Sequence, residues 1–238
     1  KNQFLKLCKH MKNKKIFDFN SFAISNYASS QLNINNNYKF CSNPIECVKK
    51  FDLIEEKTLD NFYLQKIEKD ILKKTNKVNT PVVIGFKSVG NLYDIKTPSI
   101  HNLKKIIKKY INIYKKKFKE KNSTLIKYWP KKYNINAWYI RLKRGGEVLS
   151  HIHDGWLSGV FYVKKDDKKN ISFSKEGELE VSYKLSNLKE FKENNFKKTI
   201  YVNKGNLILF PSSLPHRVVP YKGSQARLSI AFDMKPLY

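Results

Sequence analysis

The chain has 238 residues, 41% of them apolar and 13% aromatic, which is enough for one good core with or without a helical extension. No stretch approaches the ~20 apolar residues that a membrane-spanning helix requires. Its 47 Lys and Arg against 20 Asp and Glu give a formal charge of +27, which invites nucleic acid, an anionic membrane or acidic substrates. The excess is almost all Lys, spread along the chain, and only Arg141, Arg144, Arg217 and Arg227 offer bidentate phosphate contacts, so a solvated surface is favoured over a nucleic-acid footprint. Cys8, Cys41 and Cys47 fit neither a disulfide framework nor a CxxC zinc signature, and the N-terminus has no signal-peptide pattern. A reducing, cytoplasmic location is the expectation. The chain opens without Met, as a fragment of something longer would.

In chain order, residues 3–35 space Phe4, Leu5, Cys8 and Met11, then Phe19, Phe22, Ala23, Tyr27 and Leu32, by threes and fours, which predicts two short amphipathic helices. The run 38–56 holds Pro44 among Ser and Asn and reads as a connection with one helical turn. Over 58–75, Thr58 is an N-cap candidate, and Leu59, Phe62, Tyr63, Ile67, Ile71 and Leu72 share one helical face. A further helix opens at Pro98 and Ser99. Its stripe of Ile100, Leu103, Ile106, Ile107, Tyr110, Ile113, Tyr114 and Phe118 suits packing on a sheet, with lysines on the opposite face.

From residue 133 the hydrophobic period changes to two. "YNINAWYIRLK", "EVLSHIH", "LSGVFYVKK", "NISFS", "LEVSYKL", "KTIYV", "NLILFPS", "HRVVPY" and "ARLSIAFDM" are eight or nine short strands, which argues an antiparallel sandwich or barrel. The division expected is a helical N-terminal segment over 1–75 and a β domain over 76–238.

The chemistry lies at the ends of those strands. His151 and His153 are i and i+2, so on extended backbone they share a face and can share one ion. His216 follows a strand that ends in Phe210. Two ligands from one strand and a third from another leave coordination positions open for substrate or oxygen. Each histidine alone is also an ordinary hydrogen-bonded strand-end residue. His10 and His101 fall in predicted helices. Arg227 follows His216 across one turn, at the start of what reads as a neighbouring antiparallel strand, where its guanidinium can grip a carboxylate. Ser229 shares that face.

This arrangement resembles the iron(II)- and 2-oxoglutarate-dependent oxygenases, and in detail a hydroxylase branch, often fused to tetratricopeptide repeats, that carries HxH…LSGVYY…FPS…H…RxS. The matching residues are His151, His153, "LSGVFYV" at 157–163, "FPS" at 210–212, His216 and "RLS" at 227–229. "VIGFKSVGNLYD" and "INAWYIRL" extend the likeness to about residues 80–234, and the segment 1–75 would be the tail of a helical, repeat-containing region. The resemblance implies a double-stranded β-helix, the jelly-roll, cupin-like fold. It implies iron(II), 2-oxoglutarate as cosubstrate, dioxygen, ascorbate as reductant, and hydroxylation of a protein, peptide or small molecule.

By the resemblance Arg227 and Ser229 hold the far carboxylate of 2-oxoglutarate, with Tyr162 as a weaker helper. Where the superfamily places an acid two residues after the first His, this chain has His153, and the acid comes one later as Asp154. Either His151, His153 and His216 bind the metal, or a bulge turns Asp154 inward beside His151 and His216. Strand alternation favours three histidines, with Asp154 behind them accepting an imidazole N–H. Trp156 reads as packing at the strand edge more than as a lid over the mouth. Two alternatives stay open: a nucleic-acid-dealkylating oxygenase and a cupin-like module that binds metal without turnover.

Overall fold

The structure, a computed structural model, describes residues 1–74, 76–79, 81–119, 123–166, 175–184 and 197–237. The chain begins with helices α1 (Asn2–Asn13) and α2 (Phe19–Leu32), the latter capped by Asp18, whose carboxylate accepts from the Ser21 N–H at 2.7 Å. The run expected as a connection contains a strand instead, β1 (Lys49–Asp52). With a single buried side chain, Phe51, it is too short a pattern to announce a strand from sequence. Helix α3 (Asn61–Ile71) starts later than expected: Asp60 accepts from the Tyr63 N–H at 2.7 Å, while the Thr58 hydroxyl lies 2.9 Å from that of Tyr110. The shift leaves Phe62 68% exposed, outside the buried face formed by Leu64, Ile67 and Ile71.

Strands β2 (Lys77–Val78) and β3 (Val82–Ser88) and a 3-10 turn at Leu92–Asp94 lead to α4 (Pro98–Lys117), which has Thr97 at its N-cap and Pro98 in its first turn. Its expected stripe is buried, with Ile111 inside and Ile113 half-buried. After α5 (Thr124–Lys127) come β4 (Tyr133–His151), β5 (Leu157–Lys164), β6 (Leu179–Ser182), β7 (Lys197–Ile200), β8 (Asn206–Pro211), β9 (His216–Val218) and β10 (Arg227–Pro236). "NISFS" lies outside the described residues. Two expected strands, 133–143 and 147–153, are one long β4 that bends at Gly145–Gly146. Gly145 has φ +83°, and a Cβ on Gly146 would meet the Ile84 and Lys143 carbonyl oxygens.

The bend sets the topology. Pairing is antiparallel in the order β1-β8-β5-β10-β4-β9-β6-β7, with β3 along β4 as well. The first half of β4 pairs with β10 from Tyr133↔Pro236 to Leu142↔Arg227, and its second half pairs with β9 at Val148↔Val218 and His151↔His216. A larger and a smaller sheet result, joined through β4, and they fold over one another as a double-stranded β-helix.

Alternation divides the residues of the larger sheet. Leu228, Ile230, Phe232 and Met234 of β10, with Phe161 and Val163 of β5 and Leu207 and Leu209 of β8, pack under α4, α3 and the N-terminal helices. Tyr162, Ile208 and Phe210 face the smaller sheet and meet Leu179, Val181 and Ile200. Phe19, Phe22, Phe40 and Leu53 belong to the same core as α4 and β10, so the N-terminal segment and the strand half share one interior. Among the described residues no helix is long and apolar enough to cross a membrane.

Candidate metal and cosubstrate site

Between the two sheets lies a cavity of about 330 Å³, whose lining includes His151, His153, His216, Arg227, Ser229 and Asp233. The ligand atoms of the three histidines all lie within 4.8 Å of one another, and Nε2 of His153 is 3.2 Å from Nε2 of His216. Each Nδ1 has an oxygen to donate to. His151 faces the Leu149 carbonyl at 2.7 Å, His216 the Leu214 carbonyl at 3.0 Å, and His153 the Asp233 carboxylate at 3.1 Å. With a proton on each Nδ1, the Nε2 lone pairs converge, an arrangement that repels itself unless a cation sits among them.

Electrostatics favour the neutral, ligating form. Burial pushes His216 well below the usual histidine range, and the neighbouring imidazoles His151 and His153 add to the shift. Burial, then His153, lowers His151 to about 4. Asp154 is exposed, at the bend after β4, and stands outside the histidine cluster. The carboxylate behind the imidazoles is Asp233, which sequence reasoning did not single out. Its signal was the strand phase it shares with Arg227 and Ser229 at i, i+2 and i+6 of β10.

Arg227 is 1% exposed, and its Nε and Nη2 have no hydrogen-bond partner among the described residues; Nη1 lies 3.4 Å from Ser229 Oγ. Its guanidinium rests 4.9 Å from the ring centroid of Tyr162, whose buried hydroxyl is likewise without a partner among the described residues. Ser229 and Tyr162 are cross-strand partners between β10 and β5; Arg227 and Ser229 line the cavity, and Tyr162 lies against the arginine behind it. Burial raises the Tyr162 hydroxyl to about 12, with Arg227 pulling the other way, so it stays a donor. Three unsatisfied donor atoms of this kind fit a carboxylate. Arg227 does not reach the cavity from a strand beside β9, as its closeness to His216 in the chain suggested. β10 and β9 lie in opposite sheets with β4 between them, so arginine and histidine meet across the sandwich.

Trp156 takes no part in the mouth. It is 2% exposed, donates from Nε1 to the Leu125 carbonyl at 2.9 Å, and packs edge-on against Phe40 at 4.9 Å on the helical side. The aromatic residue at the mouth is Trp138, 5.5 Å from His153 between ring centroids, with the Lys87 ammonium 5.8 Å from its ring. Pro81, Val82, Ile140 and Val148 complete an apolar rim.

The double-stranded β-helix thus carries a histidine cluster and a buried arginine on one cavity. Residues 136–233 match the family described as "Putative 2OG-Fe(II) oxygenase". No curated protein matches by sequence. Among solved structures the fold is similar to a Pseudomonas putida prolyl-4-hydroxylase, with TM-score 0.51 and 12% identity over 80% of this chain and 93% of that one. It is also similar to the viral collagen prolyl hydroxylase of Paramecium Bursaria Chlorella virus-1, crystallised with 2-oxoglutarate, with TM-score 0.53 and 14% identity over 80% and 96%. A third is HygX from Streptomyces hygroscopicus with nickel and 2-oxoglutarate bound, with TM-score 0.53 and 11% identity over 81% and 84%. At such identities these likenesses speak for the fold.

Proposed function

We propose that this chain is an iron(II)- and 2-oxoglutarate-dependent hydroxylase in which His151, His153 and His216 hold the metal, and Arg227, Ser229 and Tyr162 hold the distal carboxylate of the cosubstrate. One observation carries the reading: three histidines whose ligand atoms lie within 4.8 Å of one another, and a buried arginine with two donor atoms unpartnered among the described residues, line one cavity. A cation at one end and a carboxylate at the other satisfy both sets, as a dicarboxylate chelating a metal would. Bound there, iron(II) and 2-oxoglutarate would supply the oxidative decarboxylation that turns dioxygen on a C–H bond, giving succinate and a hydroxylated product.

The protein's own part is positioning. Arg227 and Tyr162, both buried, fix the cosubstrate by donors that are already in place, and the apolar faces of β5 and β8 keep water from them. Substrate enters over Trp138, Ile140 and Val148, an apolar wall with one ammonium, Lys87, on its rim. Ascorbate, as reductant, would keep the iron ferrous between turnovers.

The test is metal content followed by 2-oxoglutarate turnover to succinate under iron(II) and ascorbate. His216→Ala should abolish metal binding, and Arg227→Ala should keep the metal while losing the cosubstrate. Metal bound without any turnover would mark a cupin-like binding module instead.

A further inference from the structure

Three imidazoles are neutral ligands, so a divalent ion held by His151, His153 and His216 keeps its charge uncompensated in a largely buried site. One carboxylate stands directly behind them. Asp233 is 4% exposed; its Oδ2 lies 3.1 Å from His153 Nδ1, and its Oδ1 accepts from the Ser158 hydroxyl at 2.7 Å. Ser158 Oγ is in turn 2.8 Å from Ser212 Oγ, and the His153 backbone N–H donates to the Ser212 carbonyl at 3.1 Å. β10, β5 and the turn after β8 thus converge on one carboxylate and hold it by both oxygens.

Among the described residues no Lys or Arg forms an ion pair with Asp233. This is unusual in a chain with 47 such residues. A buried carboxylate held by hydroxyls and an imidazole, with no Lys or Arg beside it, is costly unless positive charge lies nearby. The nearest place for one is the far side of the His153 ring, among the Nε2 atoms. We infer that Asp233 is a positioning residue that supplies the metal centre's counter-charge through His153, with Ser158 and Ser212 fixing its orientation. The inference rests on the proposed histidine ligation. It adds that the anionic partner of the metal comes from the last strand and acts through an imidazole. A carboxylate on Nδ1–H makes Nε2 a stronger donor and locks the ring's orientation.

The experiment is cobalt(II) binding, followed by its visible absorption, in wild type, Asp233→Asn, Ser158→Ala and His216→Ala, with melting of each metal-free protein. Asparagine keeps the size and an acceptor oxygen for His153 while removing the charge. Expected is an about 10- to 100-fold weaker cobalt affinity with a changed spectrum in Asp233→Asn. Its metal-free melting temperature should be equal to or above wild type, because a buried charge has been removed. Ser158→Ala should show a smaller loss of a few-fold and serves in place of Asp233→Asn if that variant fails to fold. Wild-type affinity and spectrum in Asp233→Asn, or in Ser158→Ala where it stands in, would overturn the inference while leaving the histidine site intact. Equal, weak binding by wild type and His216→Ala would overturn the histidine site itself, and the inference with it.

Discussion

Replacing Arg227 by Met should move stability and cosubstrate binding in opposite directions. The guanidinium is 1% exposed, with Nε and Nη2 unpartnered among the described residues. Each buried unsatisfied donor costs ~1–3 kcal/mol, and the Tyr162 ring beneath it returns ~2 kcal/mol. Methionine fills similar space without donors, so the cosubstrate-free protein should gain about 2 kcal/mol, a rise of ~5 °C in melting temperature for a chain of this size. The same change deletes two charge-assisted hydrogen bonds to the carboxylate, worth ~4 kcal/mol together, or ~1,000-fold in Kd. Calorimetric melting without ligand, and titration of 2-oxoglutarate into the cobalt-loaded protein, measure the two effects separately. A variant that melts lower and binds 2-oxoglutarate as wild type does would refute the idea that this corner is built for a carboxylate.

Other outcomes follow from neighbouring geometry. Gly159→Ala places a methyl group on the ring of Phe232, its cross-strand partner, and 2.8 Å from Leu209 Cδ2, so overpacking should cost ~2 kcal/mol, seen as a melting temperature lower by ~5 °C. Asp154→Ala, at an exposed position, should leave cobalt affinity within about twofold, because no metal ligand is lost; a tenfold loss would bring Asp154 back as a ligand. Burial pushes the Asp70 carboxyl up, but hydrogen bonds from Lys73, Ser99 and Thr97 outweigh it and hold it at about 2 against 3.8. Its folded value is thus depressed, so its contribution is complete above pH ~4 and is lost as pH falls towards 2. Lys73 is 58% exposed, which screens the pair and limits the effect to ~1 kcal/mol. Asp70→Asn should remove that slope from a plot of stability against pH.

Several elements were legible because local physics decides them. The stripe of α4 repeats at helical spacing along its whole length, and its burial needs nothing beyond a face to pack on. The strands from 133 onward alternate at period two, although β4 ends at His151, so the turn that follows it and not strand alternation brings His153 to the cluster. Where two capping candidates compete, tertiary contact settles the matter: Thr58 is drawn to Tyr110, and Asp60 caps α3. β1 is a strand because β8 offers it an edge from Lys49↔Leu209 to Asp52↔Asn206, information that lies in the opposite half of the chain. The sequence suggested Trp156 as packing at the strand edge, and its side chain does point into the aromatic cluster under the helices.

Residue identity and spacing, by themselves, determined the candidates: two histidines one residue apart, a third after "FPSSLP", and an arginine and a serine in phase on the last strand. Only the tertiary structure decided how they meet. The bend at Gly145–Gly146 sends β4 from one sheet to the other, which puts Arg227 across the sandwich from the histidines and not beside them. It also brings Asp233, from the last strand of the chain, onto the ring of His153, while Asp154, its immediate neighbour, turns to solvent. Strand phase is a local property written into consecutive residues, whereas the choice between two carboxylates depends on which strands pair, and that is fixed only when the sheets close.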